Sequence, residues 1–374
     1  MKRIALILLV ILAVQSCNKP AVSKPQVHAT HSTQYAQGFH IDSLAGFRLL
    51  TITNTWNSHR ESFRWVLLDS NSAQAKIPDS LLSTPKIHIP VRRIIGLSST
   101  HLALLSELRA LGLVVGVSRL DLIHSTHIRA TLDSSHAVQV GYGPAIQLEQ
   151  VAALKPDLIL SFGIGDAKMD DYPALLAAGQ PVMVLSDWME PHPLGRLEWI
   201  KLLGILVQKE TLADSIFTDR VARYDSLARI THKLTQKPTV MTGMPQAEIW
   251  YGTGGRNYFA QFMSDAGGNY LWSSDTSTGG LTTSFEQELA SAANADVWLN
   301  PGIWSKRSEA EATESRINGF KAWRMGKVYQ HQKAGADFWD EGMVRPDLVL
   351  ADLIQILHPE ILPHYVATFY EPLP

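Results

Sequence analysis

Between Leu194 and Leu234 apolar residues recur at helical spacing, first Leu197, Ile200, Leu203 and Val207, then Phe217, Val221, Tyr224 and Ala228, with charges between them. The pattern predicts one long helical spine, or two pieces if Gly204 and Gln208 interrupt it. The second piece would run for about 25 residues, roughly 37 Å at 1.5 Å per residue, and a helix that long usually spans two bodies. Ahead of the spine, strand patterns at 93–97, 113–117, 158–162 and 181–185 alternate with helical patterns at 102–111, 148–154 and 173–178. Beyond it the alternation resumes, with strands at 239–242, 297–300 and 327–329 and helices at 258–266, 284–292 and 347–357. Strands and helices alternating at this pace argue for parallel βαβ units. Further upstream, 47–54 and 63–68 read as an antiparallel pair, and 78–90 as a connecting loop. The predicted fold is α/β: two Rossmann-like lobes with central, mostly parallel sheets, joined by one long helix.

The N-terminus follows a different pattern. Met1-Lys2-Arg3 is basic, Ile4 to Val14 is an unbroken apolar run, and Gln15-Ser16-Cys17 ends it, the three-part layout of an export signal. A run of about 11 residues is too short for a hydrocarbon core of about 30 Å. Residues 18–34 are rich in Pro, Ser, Thr, Gln and His without periodicity, which suits a stalk. The expected division is 1–16 signal peptide, 17–34 flexible stalk, 35–196 N-terminal lobe with a β-rich extension, 197–236 inter-lobe helix and 237–374 C-terminal lobe. With 374 residues and 45% hydrophobic content the chain can fill two cores. A formal charge of −2 gives no basic footprint for nucleic acid, and the single cysteine, Cys17, excludes both a disulfide framework and a cysteine-rich zinc site.

In open α/β sheets ligands bind beyond the carboxyl ends of the strands. The segments that follow the predicted strands are 98–101, 141–143, 163–166 and 187–196 in the first lobe, and 244–256, 300–304 and 337–341 in the second. From these come the candidate ligand-binding residues Ser99, His101, Tyr142, Trp188, Trp250, Tyr251, Arg256, Trp304 and Trp339, to which Arg345 is added. Flat side chains beside two arginines suit a large, partly apolar or anionic ligand. Each has a plainer reading as a cap, a sheet-end cover or a lobe-edge packing residue. Gly163-Ile164-Gly165 lacks the third glycine of a dinucleotide fingerprint, since Lys168 stands there. His124 and His127 have helical spacing for a metal, in a polar, loop-like segment. No Gly-x-Ser-x-Gly, His-Glu-x-x-His or Walker loop occurs, and a Ser98–His101–Asp121 triad is available only on paper.

Several motifs carry a family resemblance. Arg93-Ile-Ile-Gly-Leu-Ser-Ser-Thr-His101, Leu111-Gly-Leu-Val-Val-Gly-Val117 and Leu148-Glu-Gln-Val-Ala-Ala-Leu-Lys-Pro-Asp157 resemble, in order, the substrate-binding proteins of ABC importers for iron-siderophores, haem and cobalamin. Leu194 to Ile200 looks like that family's rigid spine, and 338–342 with 345–348 like its last-strand loop and closing helix. A cysteine directly after the apolar run resembles a bacterial lipobox, although Gln15 is not the usual small residue. The resemblance implies cleavage before Cys17, lipid attachment to it, and a monomeric receptor on the periplasm-facing cell envelope. It also implies a ferric siderophore, haem, cobalamin or similar chelate held between the lobes, and delivery to an ABC permease and its ATPase with only a small rotation of the lobes. One acidic residue on each lobe would dock the permease: Glu149 matches the first, and Asp265, just before Gly267-Gly268, stands at the second. The expected role is therefore a non-catalytic solute receptor without a resident metal. Direct metal-ion capture is the alternative within transport, and an exported enzyme using the cleft is the alternative outside it.

Overall fold

The computed structural model describes residues 30–31, 33–44, 46–53, 62–69, 76–164, 169–302, 304–331 and 337–374. The expected signal peptide, Cys17 and most of the stalk lie outside these.

The first strands are β1 (Thr30–His31), β2 (Phe39–Leu44), β3 (Phe47–Thr53), β4 (Ser62–Asp69) and β5 (Lys86–Ile89). They form one sheet in that order, antiparallel from β1 to β4, with β5 added parallel to β4. The antiparallel pairing of β3 and β4 matches the sequence reading; the 78–90 segment read as a loop instead supplies β5. Its four residues are too few to show a period, and its partner lies upstream across a connection. One face of this sheet joins the first lobe's core through Ile41, Leu50, Ile52 and Trp65.

The first lobe continues with β6 (Ile94–Gly96), α1 (Ser99–Glu107), β7 (Val114–Val117), α2 (Thr126–Ser134), β8 (Val138–Gln139), α3 (Leu148–Ala153), β9 (Leu158–Phe162), α4 (Tyr172–Ala177) and β10 (Val182–Leu185). The sheet is parallel throughout, in the order β10-β9-β6-β7-β8. All four residues of β10 are buried, as expected of a parallel strand covered on both faces. The chain enters at β6, builds to one side and returns to build on the other, so a crevice opens between the carboxyl ends of β6 and β9.

The spine is a helical hairpin, α5 (Pro193–Leu206) and α6 (Glu210–Thr231), broken at Gln208, whose φ is +56°. Residues 197–236 are thus shared by two helices. Trp199, Ile200 and Leu203 of α5 lie in the first lobe's core. The 22 residues of α6, roughly 33 Å long, carry Ala213 and Phe217 into that core and Tyr224 and Ala228 into the second. Leu194 of α5 also lies in the second core, so both helices of the hairpin link the lobes.

The second lobe comprises β11 (Thr239–Thr242), β12 (Met244–Gln246), β13 (Ile249–Thr253), α7 (Tyr258–Asp265), β14 (Asn269–Tyr270), β15 (Gly280–Ser284), α8 (Phe285–Ala292), β16 (Val297–Leu299), α9 (Arg307–Thr313), α10 (Lys321–Arg324), β17 (Val328–Gln330), α11 (Pro346–Leu357) and β18 (Glu371–Pro372). Its main sheet runs β14-β11-β16-β17-β18, parallel except for β18. A separate antiparallel sheet, β12-β13-β15, was not foreseen.

One junction recurs in both lobes. Asp157, after α3, accepts the N–H groups of Arg92 (2.7 Å) and Arg93 (2.9 Å) ahead of β6; Asp296, after α8, accepts that of Thr239 (2.8 Å) at the start of β11. Each carboxylate ties the end of a helix to the first strand of its lobe's parallel sheet. Among the described residues no helix is long and apolar enough to cross a membrane.

Candidate ligand cleft

A cavity of about 360 Å³ lies where the two lobes meet. The first lobe contributes Ser98 and Thr100 beyond β6, Phe162 and Ile164 at the end of β9, and Asp187 and Trp188 beyond β10. Arg196 comes from α5, and the second lobe supplies Asn257, Tyr258, Gly279, Gly280 and Trp339. The cavity therefore occupies the switch point of the first sheet and is closed by the second lobe.

Its floor is a buried polar cluster. Arg196 Nη2 donates to Asp187 Oδ2 at 3.0 Å, and its guanidinium carbon lies 4.6 Å from the Tyr258 ring centre. His101 Nε2 lies 3.3 Å from the other Asp187 oxygen. Burial alone would raise the Asp187 carboxyl, but the His101 hydrogen bond and the Arg196 charge outweigh it and hold the group well below the usual carboxylate range. Burial likewise opposes the Arg196 charge, yet the facing Tyr258 and Asp187 raise its pKa overall.

The walls are fixed by local hydrogen bonds. Asn257 caps α7 by accepting from Phe259 N at 2.9 Å and donates from Nδ2 to Thr278 O at 2.9 Å, which holds Gly279 and Gly280 beside Tyr258. A Cβ on Gly255 would fall 2.3 Å from Asp275 O and 2.4 Å from Trp272 O, so the 272–280 loop can approach this closely only because glycine stands there. Asp337 Oδ1 accepts from Trp339 N (2.7 Å) and Asp340 N (2.8 Å), setting the turn that presents the 46% exposed Trp339. The next residues bridge the lobes: Asp340 Oδ2 accepts from His124 N (2.8 Å) and Ser125 N (2.9 Å), and Glu341 accepts from Ser125 Oγ (2.9 Å).

Of the candidate ligand-binding residues, Trp188 and Trp339 line this cavity. Ser99 is half-buried beside the lining pair Ser98 and Thr100. His101, expected to bind ligand, is instead fully buried and pairs with Asp187 at 3.3 Å. Tyr142 is exposed on the first lobe, its ring centre 6.0 Å from the Arg119 guanidinium carbon. Trp250 is a core residue, 1% exposed, donating to Thr242 O at 2.9 Å and packed on Trp298 and Phe320; strand alternation turns its neighbour Tyr251 outward. Arg256 lines a neighbouring polar cavity with Lys237 and Gln261, and Trp304 a separate apolar one with Met244 and Pro301. Arg345 pairs with Asp347 at 2.9 Å and feels the charge of Glu107. Glu107 ends the helix whose start faces the cavity, which puts Arg345 at the far end of α1 from the cleft.

The docking pair also divides. Glu149 is exposed at the second position of α3. Asp265 is 4% exposed and accepts from Tyr224 Oη (2.7 Å) and Gln261 Nε2 (2.9 Å), so it is a structural carboxylate and not a docking surface. The paper triad is not assembled, because Asp121 is exposed and pairs with Arg119 while His101 faces Asp187. His124 and His127 are exposed on either side of Ser125, and no cluster of three or more metal-ligating side chains occurs among the described residues.

Arg196, Tyr258, Asn257, Phe162 and Ile164 were not singled out as ligand-binding residues. For Arg196 a signal existed, a lone cation between Leu194 and Leu197 on a helix otherwise apolar there. Phe162 and Ile164 follow from the strand-end rule once the switch point is known.

Comparison with known proteins decides the family. The family model described as periplasmic binding protein matches residues 94–334, from β6 to beyond β17. The chain belongs to this family. The β1–β5 sheet of this periplasmic binding protein lies ahead of the match. An uncharacterized lipoprotein of Methanocaldococcus jannaschii is 26% identical over 285 residues, 73% of this chain and 67% of that one. Among solved structures, a possible iron-binding (periplasmic solute-binding) protein from Staphylococcus epidermidis has a TM-score of 0.55 at 18% identity, covering 71% of this chain and 98% of that one. CeuE of Helicobacter pylori, in a Ni–His complex, gives 0.57 at 17% identity over 84% and 90%. A periplasmic heme-binding protein from Pseudomonas aeruginosa gives 0.55 at 19% over 72% and 93%. At these identities the structural likeness establishes the fold.

Proposed function

We propose that this periplasmic binding protein captures a metal chelate of the ferric siderophore, haem or cobalamin kind in the inter-lobe cleft and hands it to an ABC permease and its ATPase. The observation that carries the reading is the cavity itself, built from strand ends of one lobe, the spine and the facing loops of the other, with Trp188 and Trp339 on its two sides. Aromatic walls with a few hydrogen-bonding groups suit a bulky, partly apolar guest. The iron, nickel and heme named for the structural neighbours point to the same ligand class. The export layout ending at Cys17, and the lipoprotein description of the archaeal relative, support a receptor tethered by lipid at that cysteine.

Permease docking is assigned to Glu149 on the first lobe and, in place of the buried Asp265, to Glu286 on the second. Glu149 and Glu286 hold the same position, second in α3 and in α8, ahead of the recurring Asp157 and Asp296 junctions. Glu286 has a 68% exposed side chain, 3.0 Å from Arg316.

Tryptophan fluorescence titration against a chelate panel tests the ligand class. Saturable quenching at micromolar concentration is expected with at least one chelate, weakened about tenfold or more by Trp339→Ala. Absence of binding across the panel, with free metal ions bound instead, would favour direct metal capture.

A further inference from the structure

We propose that the cleft selects chelates of no net charge and discriminates against polyanionic ones. The inference rests on the chelate-binding role and adds the ligand's charge class. Arg196 is the one Arg or Lys among the described residues that line the cavity, and it is already neutralised. Its Nη2 donates to Asp187 at 3.0 Å, both side chains are 5% exposed, and Tyr258 covers the guanidinium at 4.6 Å. His101 occupies the second Asp187 oxygen, so the carboxylate is fixed from two sides. Turning Arg196 toward an anion would leave Asp187 buried without its main countercharge, a strongly unfavourable state.

Apart from Asp187 and Arg196, the described lining residues carry no charge. Ser98, Thr100 and Asn257 offer neutral hydrogen bonds, while Phe162, Ile164 and the two tryptophans offer apolar or flat surface. The two arginines that the sequence suggested for an anionic guest are elsewhere: Arg256 on a neighbouring cavity and Arg345 paired with Asp347. The start of α1 faces the cavity, but a helix N-terminus supplies only about half a unit of positive charge, far short of a trianion's need. Among the described lining residues a polyanion would find no free counterion to offset the hydration it sheds. A neutral chelate sheds less hydration and keeps the aromatic contacts.

The test uses the intact protein, with a neutral ferric trihydroxamate and a trianionic ferric triscatecholate as probes followed by calorimetry. The neutral chelate should bind at least about tenfold more tightly, and its affinity should hardly change with salt. Equal or tighter binding of the trianion, or affinity for the neutral probe that collapses in salt, overturns the proposal while leaving a chelate receptor in place. Failure of both probes, of cyanocobalamin and of haemin removes the chelate reading and this inference together. Thr100→Lys puts a free ammonium into the cavity and should shift the ratio of affinities toward the trianion by about tenfold. An unchanged ratio in a variant that still binds the neutral probe would show that charge is not what the cleft reads.

Discussion

Glu288 is buried at the fourth position of α8 with two long hydrogen bonds, from Trp272 Nε1 at 3.3 Å and Thr283 Oγ1 at 3.4 Å. Burial pushes its carboxyl up to about 7 from an ordinary 4.5. Because the folded pKa lies above the unfolded one, the stability associated with the group is full below about 4.5 and is lost as the pH rises through 7. Glu288→Gln should therefore raise stability at pH 8.5 by up to ~3 kcal/mol and change it little at pH 4.5, read from thermal melts at both pH values. An equal shift at both would show that the effect is packing and not ionisation. Asp187 has the opposite sign: its depressed pKa contributes stability above the ordinary carboxylate range that is lost only in strong acid. Residue-scale chemistry was only partly legible in the sequence. Trp188 and Trp339 could be placed by the strand-end rule, but the same rule chose Trp250, which alternation turns into the core.

The α5–α6 hairpin depends on close contact. A Cβ at Gly204 would lie 2.7 Å from the Ala213 Cβ, so the helices touch where glycine leaves room. Gly204→Leu should push them apart and destabilise the protein by about 2 kcal/mol, whereas Gly112→Ala, with nothing within 4 Å, should stay within about 0.5 kcal/mol in urea unfolding. Equal effects would contradict the packing argument. The N-terminal segment is tied down by buried carboxylates: Gln34, Tyr35 and Ala36 donate backbone N–H groups to Glu198 of α5, and Gln37 and Gly38 to Glu190 just ahead of it. The β-rich extension is thereby fastened directly to α5. Helices with clear periodicity were predictable at this scale, as were strands set between turn signals. The β5 strand and the β12-β13-β15 sheet were not, since short strands depend on partners brought in from elsewhere.

At the scale of the whole molecule, α6 enters both cores and the Asp340 hydrogen bonds to His124 and Ser125 cross between the lobes. If Glu149 and Glu286 dock the permease as proposed, the two lobes would engage it as one body. A Glu149→Ala, Glu286→Ala double variant should keep its affinity for the chelate and lose about tenfold or more of its stimulation of permease ATPase activity in proteoliposomes. Undiminished stimulation would remove these residues from the docking surface. Asp265 shows why sequence proximity misled: position before a glycine pair does not reveal that α6 and α7 close over the carboxylate.

The sequence alone determined the two α/β lobes, the long helical link and the strand ends that line the inter-lobe cavity, because periodicity and turn chemistry are local properties. Tertiary structure decided that Arg196 is neutralised by Asp187, that Asp265 is buried, and which aromatic rings line the cleft. Those outcomes depend on distances between residues far apart in the chain, where packing and charge pairing choose among side chains that look alike in sequence.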